Sequence, residues 1–512
     1  MPGRPPVRVP ASAPPVTSSG RLSRRDVLRL GGGTLAAGAL AACTRDGGPP
    51  TAPLTGDPAQ QGETWRPPAT PMRFPDGFVL GAATSAFQVE GSTTADGRGP
   101  SIWDTFAAEP GRIRDGATGD PAADHYRRWE QDVDLMADLG LAGYRFSVAW
   151  PRVQPTGSGA VNRAGVDFYR RLVDRLLERG IEPAVTLYHW DLPQPLQDRG
   201  GWASRDTASR FADYAAVVFD ALRDMPGPWL TVNEPKTTAY VGYGSGYHAP
   251  GVRDVGQMVA AVHHQLLGHG MAVQAFRASG ASGRVGIALN LQPVYVGEPG
   301  AEDAAVRADA VENRLFLDPV LTGTYPDDAI GEEAGQIRAD PSVLDDVVLD
   351  GDLDVVSEPL DVLAVQYYGV TGVDRSGQYV EMYPTSDAPW QQVHPEGMYE
   401  TLVRVRDDYP TAPALVVTEN GIPDPTSEGG TDDPERLEFL RAHLQQVVRA
   451  AQDGVDVQAY YAWSLLDNFE WAEGLDQRWG LVHVDFATQE RTPKASARWY
   501  ADVVAAHAVP PV

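Results

Sequence analysis

The stretch Y-R-R-L-V-D-R-L-L-E-R-G-I-E-P-A-V-T-L-Y, residues 169–188, decides the fold class. Tyr169, Leu172, Val173, Leu176 and Leu177 fall at i, i+3, i+4, i+7 and i+8, one face of an amphipathic helix. Gly180 closes that helix, because a residue just past a helix end adopts the left-handed region most cheaply when it is glycine. The run 184–188 then reads as a buried strand. The same unit recurs as a helix over 129–139, Gly140 and a strand over 144–150, then as Gly280 before 285–289 and Gly454 before 457–463. Apolar runs at 78–83, 230–233, 362–367 and 415–418 bring the expected strands to eight. Strands alternating with helices predict a parallel sheet buried on both faces. Eight of them, with polar and aromatic residues at their carboxyl ends, predict an α/β fold of the (β/α)8 TIM barrel type, one domain over residues 73–512. A doubly wound sheet is the competing arrangement, but no strand is followed by a dinucleotide-binding fingerprint.

The chain has 512 residues, a length that such barrels reach as one unit. Its apolar fraction of 42% and charged fraction of 22% are those of a globular protein. A formal net charge of −27 argues against nucleic acid or an acidic membrane surface as partner and suits a neutral substrate. Twelve tryptophans supply indole faces, useful both as sugar platforms and as core filler. Lys236 and Lys494 are the only lysines; a GC-rich coding sequence accounts for the preference for arginine without any function.

Residues 1–43 read as an export signal. Arg24 and Arg25 precede an uncharged, Gly- and Ala-rich run from Leu30 to Ala42 and resemble the twin-arginine type of leader. The run is shorter than the roughly 20 apolar residues a membrane span needs. It ends in L-A-A-C (40–43), which resembles a bacterial lipobox, and Cys43 is the sole cysteine of the chain. The expectation is export by the twin-arginine route and lipidation of Cys43, anchoring the protein on the outer face of the bacterial cytoplasmic membrane. Plain secretion after cleavage at Ala39-Leu40-Ala41 is the alternative. A single cysteine leaves no intrachain disulfide to form. Residues 44–72, rich in Pro, Gly, Thr and Ala, read as a disordered tether.

Two glutamates stand at carboxyl ends of expected strands: Glu234 in T-V-N-E-P (231–235) and Glu419 in V-T-E-N-G (417–421). A converging pair of carboxyl groups can split a glycosidic bond, one protonating the leaving oxygen while the other attacks or shields the anomeric carbon. Each pentapeptide alone is also an ordinary turn sequence, so the neighbouring strand ends decide. The first expected strand leads to Gln88, the second carries Arg145, the third ends at His189 and the fourth at Asn233. The sixth ends at Tyr368 and the eighth at Trp463, with Glu470 and Trp471 following in W-S-L-L-D-N-F-E-W (463–471). A pyranose offers a rim of hydroxyls and an apolar face; this set supplies donors, acceptors and an indole platform.

The motifs also carry a resemblance. Y-R-F-S-V-A-W-P-R-V (144–153), H-W-D-L-P (189–193), G-G-W (200–202), H-A-P-G (248–251), F-L-D-P-V (316–320) and the tail from W-G-L-V-H-V-D-F to R-T-P-K-A-S-A-R-W-Y (479–500) resemble, in this order, glycoside hydrolase family 1, the β-glucosidase family. The resemblance covers roughly residues 74–500. It implies Glu234 as acid/base and Glu419 as nucleophile, with Arg145 and Tyr368 orienting Glu419. It places Gln88, His189, Asn233, Glu470 and Trp471 on the hydroxyls of the terminal sugar and Trp463 beneath its ring. The implied reaction is hydrolysis of terminal non-reducing β-D-glucosyl residues, with β-galactosyl or β-fucosyl as further substrates, by double displacement without cofactor or metal. Arg145 is then expected to lower the pKa of Glu419, and the charge on Glu419 to hold the proton on Glu234. The two carboxyl groups should stand about 5–5.5 Å apart, with retention of configuration. A Glu470 carboxylate would accept from the 4- and 6-hydroxyls and repel a 6-phosphate. Residues 472–480 also lack the Ser…Lys…Tyr set of the family's 6-phospho branch.

Two positions depart from the family's N-Y-Y-T/S stretch, where this chain has Gln366 and Gly369. The longer Gln366 side chain is expected to reshape the region that takes the aglycone. Trp150, Trp190 and Trp202 are expected in the core or the pocket wall. His263, His264 and His269 do not share one helical face, and no metal is expected there. Residues 345–354 are acidic but lack the glycine and spacing of a calcium loop, so a solvated loop is expected. A catalytically silent carbohydrate-binding lipoprotein is the reading from another class, and it would need neither glutamate. A transglycosidase using the same two residues is the reading within enzymes. The sequence carries no signal for oligomeric state.

Overall fold

Residues 169–188 fold as their pattern requires. The helix Arg163–Glu178 buries Phe168, Tyr169, Leu172, Val173 and Leu176, and the strand Glu182–Tyr188 is buried from Pro183 onward. Gly180 joins them at φ +74°. Leu177, at the edge of the apolar face, is 38% exposed. The computed structural model describes residues 65–424 and 430–511. Cys43 and the twin-arginine stretch lie outside the described residues.

Eight strands form a closed parallel barrel. They are β1 (Val79–Ala83), β2 (Gly143–Ser147), β3 (Glu182–Tyr188), β4 (Pro228–Asn233), β5 (Arg284–Asn290), β6 (Val362–Gln366), β7 (Ala414–Glu419) and β8 (Val457–Trp463). Each pairs in parallel with the next, and β8 pairs with β1 to close the ring. The outer ring comprises α1 (His125–Asp138), α2 (Arg163–Glu178), α3 (Asp206–Ala221), α4 (Val255–Ser279), α5 (Leu315–Thr322), α6 (Glu396–Asp408), α7 (Pro434–Gln452) and α8 (Ala495–Ala506). Inside the barrel a cluster of mostly small residues, among them Ala184, Ala288, Ala364 and Ala459, leaves room for Tyr461 and for the fully buried Arg145. The larger apolar side chains fill the layer between strands and helices.

Three sequence expectations change. The second strand stops at Ser147 rather than Trp150, because Trp150 opens the helical turn Trp150–Val153 with Pro151 in its first positions, where a missing N–H costs no bond. Residues 345–354 are not simply a solvated loop. Asp352 opens the helical turn Asp352–Val356, is 4% exposed, and takes a bidentate ion pair from Arg205 plus a 3.0 Å contact from His263. The end of the expected tether is ordered: Met72–Arg73 pairs antiparallel with Ala508–Val509, and the Trp65 ring lies 5.3 Å from the Arg449 guanidinium carbon. Among the described residues no helix is long and apolar enough to cross a membrane. The three histidines of α4 find separate partners: His263 meets Tyr325 and Asp352, His264 the Trp202 carbonyl, and His269 the Thr231 hydroxyl.

Candidate active site

The carboxyl ends of the strands surround a cavity of about 340 Å³. Glu234, Glu419, His189, Tyr368, Trp463, Glu470 and Trp471 form much of its wall. Gln88, Arg145 and Asn233 are joined to those residues by hydrogen bonds, so the whole expected set is brought together.

Glu419 is the last residue of β7, and the Asn-Gly that follows it fixes its place. The Asn420 amide donates to the Tyr367 carbonyl at 2.6 Å and its Oδ1 accepts from the Tyr460 hydroxyl at 2.8 Å, while the Trp463 N–H donates to the Asn420 carbonyl at 2.9 Å. Gly421 passes so close to β8 that a Cβ would stand 2.0 Å from the Trp463 carbonyl oxygen. The Glu419 carboxylate is 3% exposed. Its Oε1 accepts from Arg145 Nη1 and, at 2.7 Å, from Gln366 Nε2; its Oε2 accepts from the Tyr368 hydroxyl at 2.8 Å. Arg145 is held in turn by the Thr186 hydroxyl and by Asn233 Oδ1.

Glu234 follows β4 in a left-handed conformation, φ +44°, that a non-glycine residue adopts only when its surroundings impose it. Pro235 starts the helical turn beyond, and the Glu234 N–H donates to the Ala288 carbonyl at 2.9 Å. Its Oε2 accepts one hydrogen bond, from the Thr237 hydroxyl at 2.6 Å. The two carboxyl groups are therefore equipped unequally, with three donors including a guanidinium on Glu419 and a single hydroxyl on Glu234.

That inequality sets the order of ionisation. Burial pushes Glu234 up to about 7, and the charge on Glu419 is the second cause. Sequence reasoning named only the charge. Burial also raises Glu419, against the expectation that Arg145 would lower it overall; Arg145 and Tyr368 pull the other way and lose to desolvation. With its three donors Glu419 still ionises first, and its charge then retains the proton on Glu234. Glu470 is pushed up to about 8 by burial, then by the charges of Glu419 and Glu473. Near neutral pH it presents a protonated carboxyl in the open site, which weakens the expected repulsion of a phosphate. Arg478, the one cation of residues 472–480, is bound to Asp467 and the Val484 carbonyl and lies over the Phe486 ring.

The groups expected to face the sugar form two hydrogen-bonded sets. The Gln88 amide donates to Glu470 Oε2 at 3.2 Å and to Asn468 Oδ1 at 3.1 Å. The Asn233 amide donates to His189 Nε2 at 3.2 Å, leaving Nδ1 buried without a partner among the described residues. Burial, aided by the charge of Arg145, keeps that imidazole neutral. Trp463 ends β8 and stacks 5.9 Å from the His189 ring at 17°. Trp190 lines the cavity and donates from its indole N–H to the Asn233 carbonyl, whereas Trp150 and Trp202 are fully buried core.

Residues 70–509 match the family model for Glycosyl hydrolase family 1. The chain belongs to that family. It is 43% identical over 450 residues to Beta-glucosidase A of Acetivibrio thermocellus, covering 85% of this chain and 98% of that protein. It is 45% identical over 469 residues to the Bifunctional beta-D-glucosidase/beta-D-fucosidase of Bifidobacterium breve, covering 85% and 99%. The beta-glucosidase from Thermotoga maritima in complex with deoxynojirimycin superposes with a TM-score of 0.78 at 41% identity, covering 85% and 99% of the two chains.

Some residues of this family 1 site escaped the sequence reading. Thr237 stands three residues after Glu234 in N-E-P-K-T, a spacing that one helical turn would have revealed. Asn290 ends β5 and lines the cavity; the strand-end rule applied to the fifth strand points to it. Tyr247, His248, Trp390 and Trp479 line it from loops without a periodic signal. Gln366 was expected near the aglycone. It is instead 0% exposed and bonded to Glu419 and Asn233, because β6 delivers it inward at the same level as Glu419.

Proposed function

We propose that this chain is a retaining β-glycosidase that hydrolyses terminal non-reducing β-D-glucosyl residues, and β-fucosyl or β-galactosyl residues as well, with Glu419 as nucleophile and Glu234 as acid/base. The observation that carries this reading is the unequal equipment of the two glutamates across one cavity. Glu419 has three donors and ionises; Glu234 has one and keeps its proton at near-neutral pH. Glu419 attacks the anomeric carbon as Glu234 protonates the leaving oxygen, giving a glycosyl-enzyme. Esterification removes the charge on Glu419, so Glu234 loses part of what held its proton. It then accepts a proton from the water that attacks the anomeric carbon, and the C1–O bond to Glu419 breaks. Gln88, His189, Asn233, Glu470 and Trp471 hold the hydroxyls, and Trp463 carries the apolar face of the ring. Relatives named as β-glucosidases and as a glucosidase/fucosidase support this substrate class.

For placement in the cell, the reading of residues 23–43 supports twin-arginine export and a lipid anchor at Cys43. The test of the enzymatic reading uses the full chain and a nitrophenyl β-glucoside, beside Glu419→Gln. Wild-type release that falls by about 10⁴-fold or more in the variant supports it. Equal rates would remove Glu419 from the mechanism, and sugar binding by wild type without release would favour a silent binding protein.

A further inference from the structure

We propose that Gln366 is a positioning residue that selects which oxygen of Glu419 attacks and that stabilises the Glu419 carboxylate as it leaves in the second step. The proposal rests on Glu419 being the nucleophile. Gln366 ends β6, is 0% exposed, and pairs with Asn290 on β5 and, across a one-residue register shift, with Glu419 on β7. Its Nε2 stands 2.7 Å from Glu419 Oε1 and 2.7 Å from Asn233 Oδ1, so both amide hydrogens are used. Its carbonyl oxygen has no partner among the described residues. The side chain is therefore held in place by what it donates.

The consequence is an asymmetry within the carboxylate. Oε1 receives two donors, Arg145 and Gln366, which occupy its two lone pairs. Among the described residues Oε2 receives only the Tyr368 hydroxyl, which leaves it one lone pair. The attacking atom is thus Oε2, and Oε1 becomes the carbonyl oxygen of the glycosyl ester, still facing its two donors. In the second step the water oxygen bonds to C1 and gives its proton to Glu234. The C1–Oε2 bond breaks with its electron pair returning to Glu419, and the charge spreads onto Oε1. Donors already aimed at that atom stabilise the charge as it appears. In the first step the same donors withdraw electron density from the nucleophile, which offsets their positioning effect. Loss of the Gln366 donor should therefore slow the second step more than the first.

The experiment is steady-state kinetics of the full chain with 2,4-dinitrophenyl β-glucoside, whose leaving group needs no protonation, together with intact-mass spectrometry during turnover. For Gln366→Met the expected result is a fall in kcat of about 10- to 100-fold, the worth of one hydrogen bond to a charged group. KM should fall with it, and a hexosyl adduct should accumulate on the peptide bearing Glu419. A lowered kcat with unchanged or raised KM and no adduct would overturn the proposal, as would unchanged kcat. Gln366→Glu, which keeps the shape, covers the case in which methionine prevents folding. Its acid group beside Oε1 should move the acid limb of the kcat/KM profile up by about one pH unit or more. An unmoved limb would also overturn the proposal. If wild type itself released no dinitrophenol, the enzymatic reading would fall; normal wild-type turnover with normal variants would remove Gln366 alone.

Discussion

Glu234 and Glu470 are carboxyl groups that burial holds protonated far above the usual 4.5, to about 7 and about 8. For Glu234 this predicts that kcat/KM declines as pH rises through about 7, because the proton it donates is lost there. Glu234→Gln should abolish that limb and lower kcat/KM on a poor leaving group by about 10²–10⁴-fold, while affecting a dinitrophenyl glycoside much less. For stability the sign follows from the raised values. A group that binds its proton more tightly when folded leaves stability intact below its unfolded pKa and subtracts from it as pH rises towards the folded one. Glu470→Gln should therefore raise the unfolding temperature at about pH 9 and change it little at about pH 5. Thermal scans at the two pH values check this. At this scale the residues gathered around the cavity were legible, because most stand in, at or shortly after the end of a strand of recognisable pattern. Thr237, Asn290 and the inward aim of Gln366 were not. Each depends on how the chain turns after the strand or on which face a strand end presents.

The strand β7 and its exit loop carry the site's precision. Gly421 is required by proximity to β8, not by its φ, and Gly421→Ala would drive a methyl group into the Trp463 carbonyl. The expected cost is about 1–3 kcal/mol in denaturant unfolding. Activity should fall by a larger factor than stability alone explains, since the strain reaches both Glu419 and Trp463. All eight strands could be read from apolar runs and glycine stops, because buried parallel strands leave little else on either face. The errors came where a local proline or a tertiary partner overrode composition. Pro151 turned the end of the second strand into a helix, and Arg205 with His263 drew the acidic Asp352 into the fold. Both lysines follow the same logic. Lys236 and Lys494 are buried against Glu312 and Asp467, at 3.0 and 2.8 Å.

Across the whole molecule, the entry of the chain and the mouth of the cavity lie at opposite ends of the barrel. Glu234, Glu419 and Trp463 stand at the carboxyl ends of the strands. Met72–Arg73 precedes β1 and pairs with Ala508–Val509 beyond the end of α8, which places it at the amino ends. Cys43→Ser should move the protein from the membrane fraction to the soluble fraction of its host without changing kcat on a soluble aryl glucoside. Fractionation with parallel assays reads both quantities. The net charge of −27 would also disfavour adsorption of the barrel onto an anionic surface. The central claim, double displacement through Glu419, is tested most directly by proton NMR of the anomeric region during hydrolysis of an aryl β-glucoside. The account predicts β-glucose as the first-formed product, with the α-anomer appearing only by later mutarotation; α-glucose formed first would contradict it.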